Sequence, residues 1–299
     1  MKSKFFGSDI LLLITALIWG FAFVAQRVGL NYIGPFTFNA VRFALGSLSL
    51  VPLAFYFRNR TPVSPKNTKQ INRLGFVWRG AITGIVLFAG SSLQQIGLVY
   101  TTAGKTGFIT GLYVVIVPII WKILGKKSRV GTWIGASTAA IGLYFLSVSE
   151  SFTIHYGDML VIIAACFWAV HVILIGHFTL HINPIHLSLM QFTFCSLLSF
   201  VTAFAVETIE ISSLVDATIP ILYGGLGSVG IAYTLQVVAQ RNAHPAHAAI
   251  ILSLETVFAA FGGWLILGEI LSLRSKIGCL LMFIGILISQ IRKEHFAST

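Results

Sequence analysis

Two formally charged side chains, Arg42 and Glu255, lie well inside long apolar segments of the sequence. A charge at the centre of a membrane helix costs about 2.5–3.5 kcal/mol on insertion scales, so such residues usually face a bundle interior or a watery cavity. A guanidinium there can bind a carboxylate or phosphate, and a carboxyl group can bind an ammonium group or carry a coupling proton. Structural roles are open too: Arg42 could extend to the outer interface or pair with an acid, and Glu255 could be neutral and hydrogen-bonded between helices.

Four uncharged polar side chains are further candidates for a binding site. Gln94 and Gln236 carry amides, which can hydrogen-bond a zwitterion from either end. Tyr113 and Gln191 occupy the positions equivalent to Glu255 and Arg42 in the internal repeat described below. Amide bridging between helices is the alternative for the two glutamines.

Aromatic residues also lie deep in the apolar segments, away from the ends where interfacial tryptophans are usual. Trp19 and Trp168 are the two tryptophans concerned, and His171 follows Trp168 by about one helical turn. An aromatic wall with a titratable imidazole is suited to an amphipathic or cationic ligand. The alternative is that both tryptophans fill helix packing and that the histidine is hydrogen-bonded within the bundle.

The composition places the chain in the membrane. Of its 299 residues, 56% are hydrophobic and only 10% are charged, against about 25% charged in soluble domains. We predict an all-α polytopic protein with ten transmembrane helices. The predicted spans are 9–30, 36–57, 75–98, 103–124, 131–148, 158–179, 185–206, 218–240, 246–267 and 275–291.

The two halves of the sequence match, which predicts a first five-helix repeat over 1–149 and a second over 150–299. At an offset of 149, the aligned pairs are Asp9 with Asp158, Trp19 with Trp168, Pro35 with Pro184 and Arg42 with Gln191. Further along, the aligned pairs are Gln94 with Gln236, Ile109 with Ile251, Gly135 with Gly278 and Gly142 with Gly285. Because each repeat has an odd number of helices, the copies run in opposite directions. In such inverted repeats the substrate site lies at the repeat interface near the bilayer midplane.

Residues 250–290 contain two apolar runs joined by a short polar hinge that begins at Gly268–Glu269. Together with Leu254–Glu255 and the glycines Gly278 and Gly285, this segment resembles the closing helical hairpin of the EamA-type permeases of the drug/metabolite transporter superfamily. The resemblance extends over essentially the whole chain and implies a five-plus-five helix carrier of small polar metabolites. A proline often follows the acid in that family, whereas Thr256 stands here, so a helix break at this point is not expected from the resemblance alone.

The net charge of +11 is explained by topology rather than by nucleic acid, because the basic residues flank the spans. Placing the N-terminus in the cytoplasm puts most of them on the cytoplasmic side. We therefore predict an integral protein of the plasma (inner) membrane with both termini cytoplasmic. The residues assigned to that side are Lys2, Lys4, Arg58, Arg60, Lys66, Lys69, Arg73, Arg79, Lys122, Lys126, Lys127, Arg129, Arg241, Arg292 and Lys293.

These observations favour a secondary active transporter, an exporter of amino acids or related compounds, that alternates access about a midplane cavity. The segment 103–106 resembles the tail of a phosphate-binding loop, but Val99 stands where its first glycine is required, so we expect no nucleotide hydrolysis. We expect no enzymatic activity, cofactor or metal, a small-molecule substrate, a proton as one candidate coupling ion, and a monomer or homodimer. The alternatives are a non-transporting membrane sensor or assembly module, and a carrier of nucleosides, sugars or organic cations.

Overall fold

The computed structural model describes residues 2–57, 73–101, 103–126, 128–147, 155–267 and 272–290. Within these ranges the chain is helical and contains no strand. Several sequence-based predictions fall outside them: those for the basic residues Arg58, Arg60, Lys66, Lys69, Lys127, Arg292 and Lys293, and for the Gly268–Glu269 hinge.

The described helices follow one another with short connections. The helices are α1 (Lys2–Gly29), α2 (Pro35–Phe57), α3 (Arg73–Tyr100), α4 (Ala103–Gly111), α5 (Tyr113–Ile123), α6 (Val130–Ser147), α7 (Tyr156–Phe178), α8 (Pro184–Val206), α9 (Ile211–Asp216), α10 (Thr218–Leu222), a π-helical segment (Tyr223–Tyr233), α11 (Thr234–Gln240), α12 (Pro245–Leu252), α13 (Glu255–Leu267) and α14 (Leu273–Gln290).

Eight helical segments in the described part of the chain are long and apolar enough to cross a bilayer. Two shorter apolar helices, Val130–Phe145 and Lys276–Ser289, coincide with the remaining predicted spans, so the count of ten spans stays a prediction. The protein is therefore an integral membrane protein. The eight spans are Gly7–Gly29, Pro35–Tyr56, Gly75–Tyr100, Ala103–Ile123, Tyr156–Phe178, Pro184–Val206, Thr218–Gln240 and Pro245–Ile266.

Two of the spans are interrupted near their middle. Leu112 separates α4 from α5, and Ser253 with Leu254 separates α12 from α13. At both places the backbone tightens to i→i−3 hydrogen bonds, from Leu112 N to Ile109 O and from Leu254 N to Ile251 O, each 3.1 Å. Pro118 lies inside α5 and not at the interruption. Leu112 and Leu254 are separated by the same offset as Gln94 and Gln236.

The bundle is held together by close contacts between helices from the two halves of the chain. The helix α2 packs against α8, α3 against α7 and α8, α1 against α13, and α6 against α14. Small residues permit the closest approaches. A Cβ atom on Gly135 would lie 2.6 Å from the carbonyl oxygen of Gly285, so these two helices touch backbone to backbone.

A carboxylate from the second half caps a helix of the first half. Glu207, at the C-terminus of α8, accepts hydrogen bonds from the backbone N–H groups of Phe36 and Thr37, each 2.8 Å. The hydroxyl of Thr37 donates to the same carboxylate at 2.6 Å. Because the first N–H groups of a helix have no partner within it, this acid fixes the start of α2 against the end of α8.

Candidate functional site

A cavity lies between the helices of the two halves. It encloses about 470 Å³ of space between its lining side chains, its opening included. The interruptions of the two broken spans lie beside it, because Tyr113 and Glu255, the first residues of α5 and α13, both line its wall. The other lining residues are Trp19, Ala22, Phe23, Gln26, Arg42, Gln94, Thr110, Trp168, Val172, Ser228, Tyr233, Gln236 and Leu252.

Seven of the nine side chains predicted from the sequence line this cavity, and two do not. The seven are Trp19, Arg42, Gln94, Tyr113, Trp168, Gln236 and Glu255. His171 and Gln191 lie behind the wall, where the imidazole Nε2 and the amide Oε1 form a 2.8 Å hydrogen bond. Both residues are fully buried. They pack beneath the aromatic wall rather than facing the cavity, since the ring of His171 meets that of Trp168 edge-on at 6.0 Å.

Arg42 is buried in the bundle and does not extend to an interface, with only 2% of its surface exposed. Its guanidinium carbon lies 4.9 Å from the ring centroid of Phe43 and 5.5 Å from that of Phe38. Both distances are within the range of a cation–π contact. Its Nε atom has no hydrogen-bond partner among the described residues. The positive charge therefore lies against two aromatic rings at the cavity wall, and it forms no ion pair with a carboxylate of the described residues.

Glu255 occupies the first turn of α13, immediately after the helix interruption. It is 4% exposed, and its Oε1 atom lacks a hydrogen-bond partner in the described part of the chain. The hydroxyl of Tyr113 lies near the carboxyl group but is itself unpartnered within those residues. A helix N-terminus carries a partial positive charge, which favours an acid at this position. The interruption thus places an acid at the start of a helix and in the wall of the cavity.

The amide of Gln94 anchors one side of the wall. Its Oε1 atom accepts a 2.8 Å hydrogen bond from the indole N–H of Trp168 and a 3.3 Å bond from the hydroxyl of Thr110. The amide of Gln236 also borders the cavity, and its Oε1 atom has no partner within the described ranges. One glutamine therefore orients a tryptophan, while the other presents a free acceptor.

Tyr233 is the centre of an aromatic cluster that the sequence analysis did not single out. Its ring lies 4.5 Å from that of Trp19 and 6.2 Å from that of Trp168, measured between centroids. The indole of Trp19 donates to the carbonyl of Ser228, 3.3 Å away on the π-helical segment. Tyr233 precedes Gln236 by about one helical turn, so the two side chains lie on the same face of their span. That shared face could have identified Tyr233 as a candidate from the sequence.

A bundle of apolar spans around a buried cavity that combines one cation, one acid, amides and aromatic rings is the architecture of a membrane transporter. Comparison of the sequence with family models assigns residues 7–148 and 155–290 to the EamA-like transporter family. The chain belongs to the EamA-like transporter family. Membership makes it a membrane transporter with a small-molecule substrate.

Relatives and a solved structure agree with this assignment. An uncharacterized transporter of Archaeoglobus fulgidus is 32% identical over 289 residues, covering 95% of this chain and 86% of that protein. The uncharacterized transporter YoaV of Bacillus subtilis is 24% identical over 279 residues, covering 91% of this chain and 93% of that protein. One solved crystal structure superposes with a TM-score of 0.73 at 16% identity, over 95% of this chain and 96% of the other, which shows a shared fold.

Proposed function

We propose that the protein is a secondary active exporter of small zwitterionic metabolites such as amino acids or related compounds. The observation that carries the proposal is that Arg42 and Glu255 line one cavity and form no ion pair with each other. A buried charge without a partner is costly. A ligand with a carboxylate and an ammonium group would supply the missing partner to each.

The chemistry of the wall suits such a ligand at both ends. A guanidinium binds a carboxylate through two parallel N–H···O bonds, which are charge-assisted and therefore stronger than neutral ones. The carboxylate of Glu255 would accept from the ammonium group, and the free amide oxygen of Gln236 could accept a further N–H. Trp19 and Tyr233 offer aromatic faces to the rest of the molecule.

We propose that transport proceeds by alternating access between two inverted five-helix repeats, residues 1–149 and 150–299. In this scheme α6 and α14 are the fifth and tenth spans, which pack on each other outside the cavity-lining helices. The matching interruptions at Leu112 and Leu254 support the repeat, because they occupy equivalent positions in its two copies. Rocking of one repeat against the other would expose the cavity to each side in turn.

The remaining features of the proposal rest on the sequence. The excess of basic residues beside one set of helix ends supports a plasma (inner) membrane location with both termini cytoplasmic.

Transport would draw on a proton gradient or on the gradient of the substrate itself. Glu255 and His171 are the side chains within the bundle that could take up a coupling proton. The protein would act as a monomer or a homodimer.

A ligand screen by thermal shift tests the substrate class. Ligands that bind the folded state raise its apparent melting temperature by mass action, by about 2.7 kcal/mol of added stability at one hundred times Kd. We expect amino acids to raise Tm, and Arg42→Gln and Glu255→Gln each to abolish that shift. The matched controls are Arg241→Gln and Glu210→Gln, which change the same residue types away from the cavity lining. Shifts produced only by uncharged sugars, and retained in both cavity variants, would refute the proposal.

A further inference from the structure

Two ion pairs between described residues join the first half of the chain to the second. Lys105 Nζ lies 2.6 Å from Asp158 Oδ2, and His247 Nε2 lies 3.0 Å from Asp9 Oδ1. Each joins an acid in the N-terminal third of one helix to a base at the third position of another. The pairs are Asp9 on α1 with His247 on α12, and Asp158 on α7 with Lys105 on α4. Both pairs therefore cross the boundary between the halves.

The pairs lie at opposite ends of the bundle, which we call the Asp9 end and the Asp158 end. From Asp9 to Arg27, α1 rises by about 27 Å, close to the thickness of a bilayer core. Arg27 then donates a 3.1 Å hydrogen bond to the carbonyl of Leu98 in the last turn of α3. That turn packs on the start of α7, because a Cβ atom on Gly157 would lie 2.7 Å from the carbonyl oxygen of Gly97.

The sequence relates the two pairs to each other. Asp158 follows Asp9 at the offset that aligns Trp19 with Trp168, and His247 follows Lys105 at the offset that aligns Gln94 with Gln236. The acid of each half thus pairs with the base of the other half. Two copies related by an approximate two-fold axis would form such reciprocal ion pairs, with one pair at each end of the bundle.

The equivalent bases differ in chemistry. Lysine keeps its charge at physiological pH, whereas histidine is the side chain that gains or loses its charge between about pH 5 and 8. Asp158 is also tied to its surroundings by a 3.0 Å bond from the hydroxyl of Thr101 and a 2.8 Å bond from the backbone N–H of His155. The pair at the Asp158 end is therefore permanent in charge, and the pair at the Asp9 end is not.

Both ring nitrogens of His247 face oxygen acceptors. Nε2 meets Asp9 Oδ1, and Nδ1 lies 3.3 Å from the hydroxyl oxygen of Ser289. The Ser289 hydroxyl already donates its own hydrogen to the carbonyl of Ile286 at 2.7 Å, so its oxygen is left as an acceptor. A neutral imidazole has one N–H and could satisfy one of these acceptors, whereas the imidazolium has two and satisfies both.

We propose that Asp9, His247 and Ser289 form a proton-binding site that closes the Asp9 end of the transporter. A proton from solvent adds to the free ring nitrogen of His247, and the imidazolium then donates to Asp9 and Ser289. The side chain of His247 is 19% exposed, so water at the Asp9 end can supply the proton. Loss of the proton weakens the tie between α1 and α12 and favours opening at that end. This inference rests on the alternating access of the proposed function.

Other titratable and charged groups lie near His247 at the Asp9 end. Burial lowers the pKa of the neighbouring His244, and the nearby charges of His247 and Arg129 lower it further. His244 therefore takes up a proton less readily than an ordinary histidine. Asp9 is the acid of the cluster, and it offsets the cations on the other elements packed against α12. Among residues whose side chains the structure describes, the titratable and charged groups on these elements at this end are Asp9 on α1, Lys122 on α5, Arg129 before α6 and His177 on α7, and α14 contributes the hydroxyl of Ser289.

Accessibility of the cavity from each side tests the proposal. Ser228→Cys places a thiol in the cavity wall of a chain whose three native cysteines are replaced by serine. The full chain is examined in membrane vesicles of both orientations with a membrane-impermeant thiol reagent, at about pH 5.5 and about pH 8. Because the thiolate is the reactive form and its fraction rises with pH, every labelling rate is divided by the rate for the same protein unfolded in detergent at the same pH. We expect this normalised labelling from the Asp9 side to rise about two- to fivefold at the higher pH, the range that partly exposed ion pairs can supply.

Variants of His247 give opposite expectations. His247→Lys carries a fixed charge, so labelling from the Asp9 side should stay at the low-pH rate at both pH values. His247→Gln and Asp9→Asn should both stay at the high-pH rate. The control His181→Gln changes a histidine at the same end whose Nδ1 lies 3.3 Å from the carbonyl oxygen of His177, and it should keep the pH dependence of the parent. A His247→Gln or Asp9→Asn protein that keeps the parent's pH dependence overturns the proposal.

Counterflow of a labelled amino acid in the same vesicles separates this inference from the proposed function. If counterflow persists while substitution of His247 and Asp9 does not change the pH dependence of labelling, the proton site is refuted and the proposed carrier function stands. If labelling depends on pH and on these two residues but no amino acid is exchanged, the proton site is supported and the proposed substrate class is refuted.

Discussion

Arg42 and Glu255 line the same cavity from opposite halves of the chain, yet they form no ion pair with each other. Arg42 is held between the rings of Phe38 and Phe43, and Glu255 lies at the start of a helix. Arg42 Nε and Glu255 Oε1 have no hydrogen-bond partner among the described residues. A site arranged in this way keeps both charges available to a ligand.

Gln94 and Trp168 should be energetically coupled. Gln94→Leu removes the acceptor of the 2.8 Å hydrogen bond from the indole and leaves that N–H buried without a partner, which we expect to destabilise the protein by about 1–3 kcal/mol. Trp168→Phe removes the donor, so adding it to Gln94→Leu should cost less than the sum of the two single changes. Chemical unfolding of the four proteins of this double-mutant cycle measures the coupling, and strict additivity would contradict it.

Glu207 should stabilise the protein through the cap that it provides to α2. Glu207→Gln loses the charge of an acceptor that receives bonds from Phe36 N, Thr37 N and the Thr37 hydroxyl. We expect a loss of about 0.5–2 kcal/mol, the usual value of a helix N-cap. Glu210→Gln is the control, because Glu210 makes no side-chain capping bond. Equal melting temperatures for the two variants would show that the cap contributes nothing.

Gly20 should tolerate no side chain. A Cβ atom there would lie 2.8 Å from the backbone nitrogen of Ala259 and from the carbonyl oxygen of Glu255, so Gly20→Ala must separate α1 from α13. We expect a cost of about 1–3 kcal/mol, as for other overpacked sites. Gly227→Ala is the matched control, since its new Cβ would meet only Ile18 Cγ2 at 3.9 Å. Thermal unfolding in detergent compares the two, and a Gly20→Ala protein as stable as the control would be inconsistent with this contact.

Tyr113 should matter to binding more than to folding. Its buried hydroxyl has no hydrogen-bond partner in the described ranges, so Tyr113→Phe removes a polar group that contributes nothing to the unliganded fold. We expect unchanged or raised thermal stability together with amino-acid binding about tenfold weaker, the value of one hydrogen bond of about 1.4 kcal/mol. Tyr144→Phe alters an exposed tyrosine and serves as the control. Lower stability with unchanged affinity would assign Tyr113 a structural role.

The sequence predicted the membrane spans and most of the cavity for one physical reason. Long apolar runs can only be membrane helices, and a charge or amide within such a run must face the bundle interior. Arg42, Glu255, Gln94 and Gln236 all follow this rule. His171 and Gln191 also face the bundle interior, but their polar atoms form a hydrogen bond with each other. No local sequence pattern shows whether a buried polar residue forms such a bond or lines the cavity.

Features that depend on tertiary contacts were beyond local reasoning. The interruption at Ser253–Leu254 occurs with neither proline nor glycine at the site. The capping role of Glu207 depends on a helix 170 positions earlier in the chain. Tyr233 gains its importance from five surrounding rings that meet only in the folded bundle, those of Trp19, Phe43, Trp168, His171 and Phe192.

Counterflow of a labelled amino acid into liposomes that contain the purified protein tests the central claim most directly. The external competitors are the same amino acid, its amide, which lacks the carboxylate, and its N-acetyl derivative, which lacks the ammonium group. We predict that the parent protein exchanges the zwitterion, that each single-charge analogue competes at least about tenfold less well, and that Arg42→Gln and Glu255→Gln abolish exchange. Equal competition by all three compounds, or full exchange by both variants, would contradict a site built on these two charges.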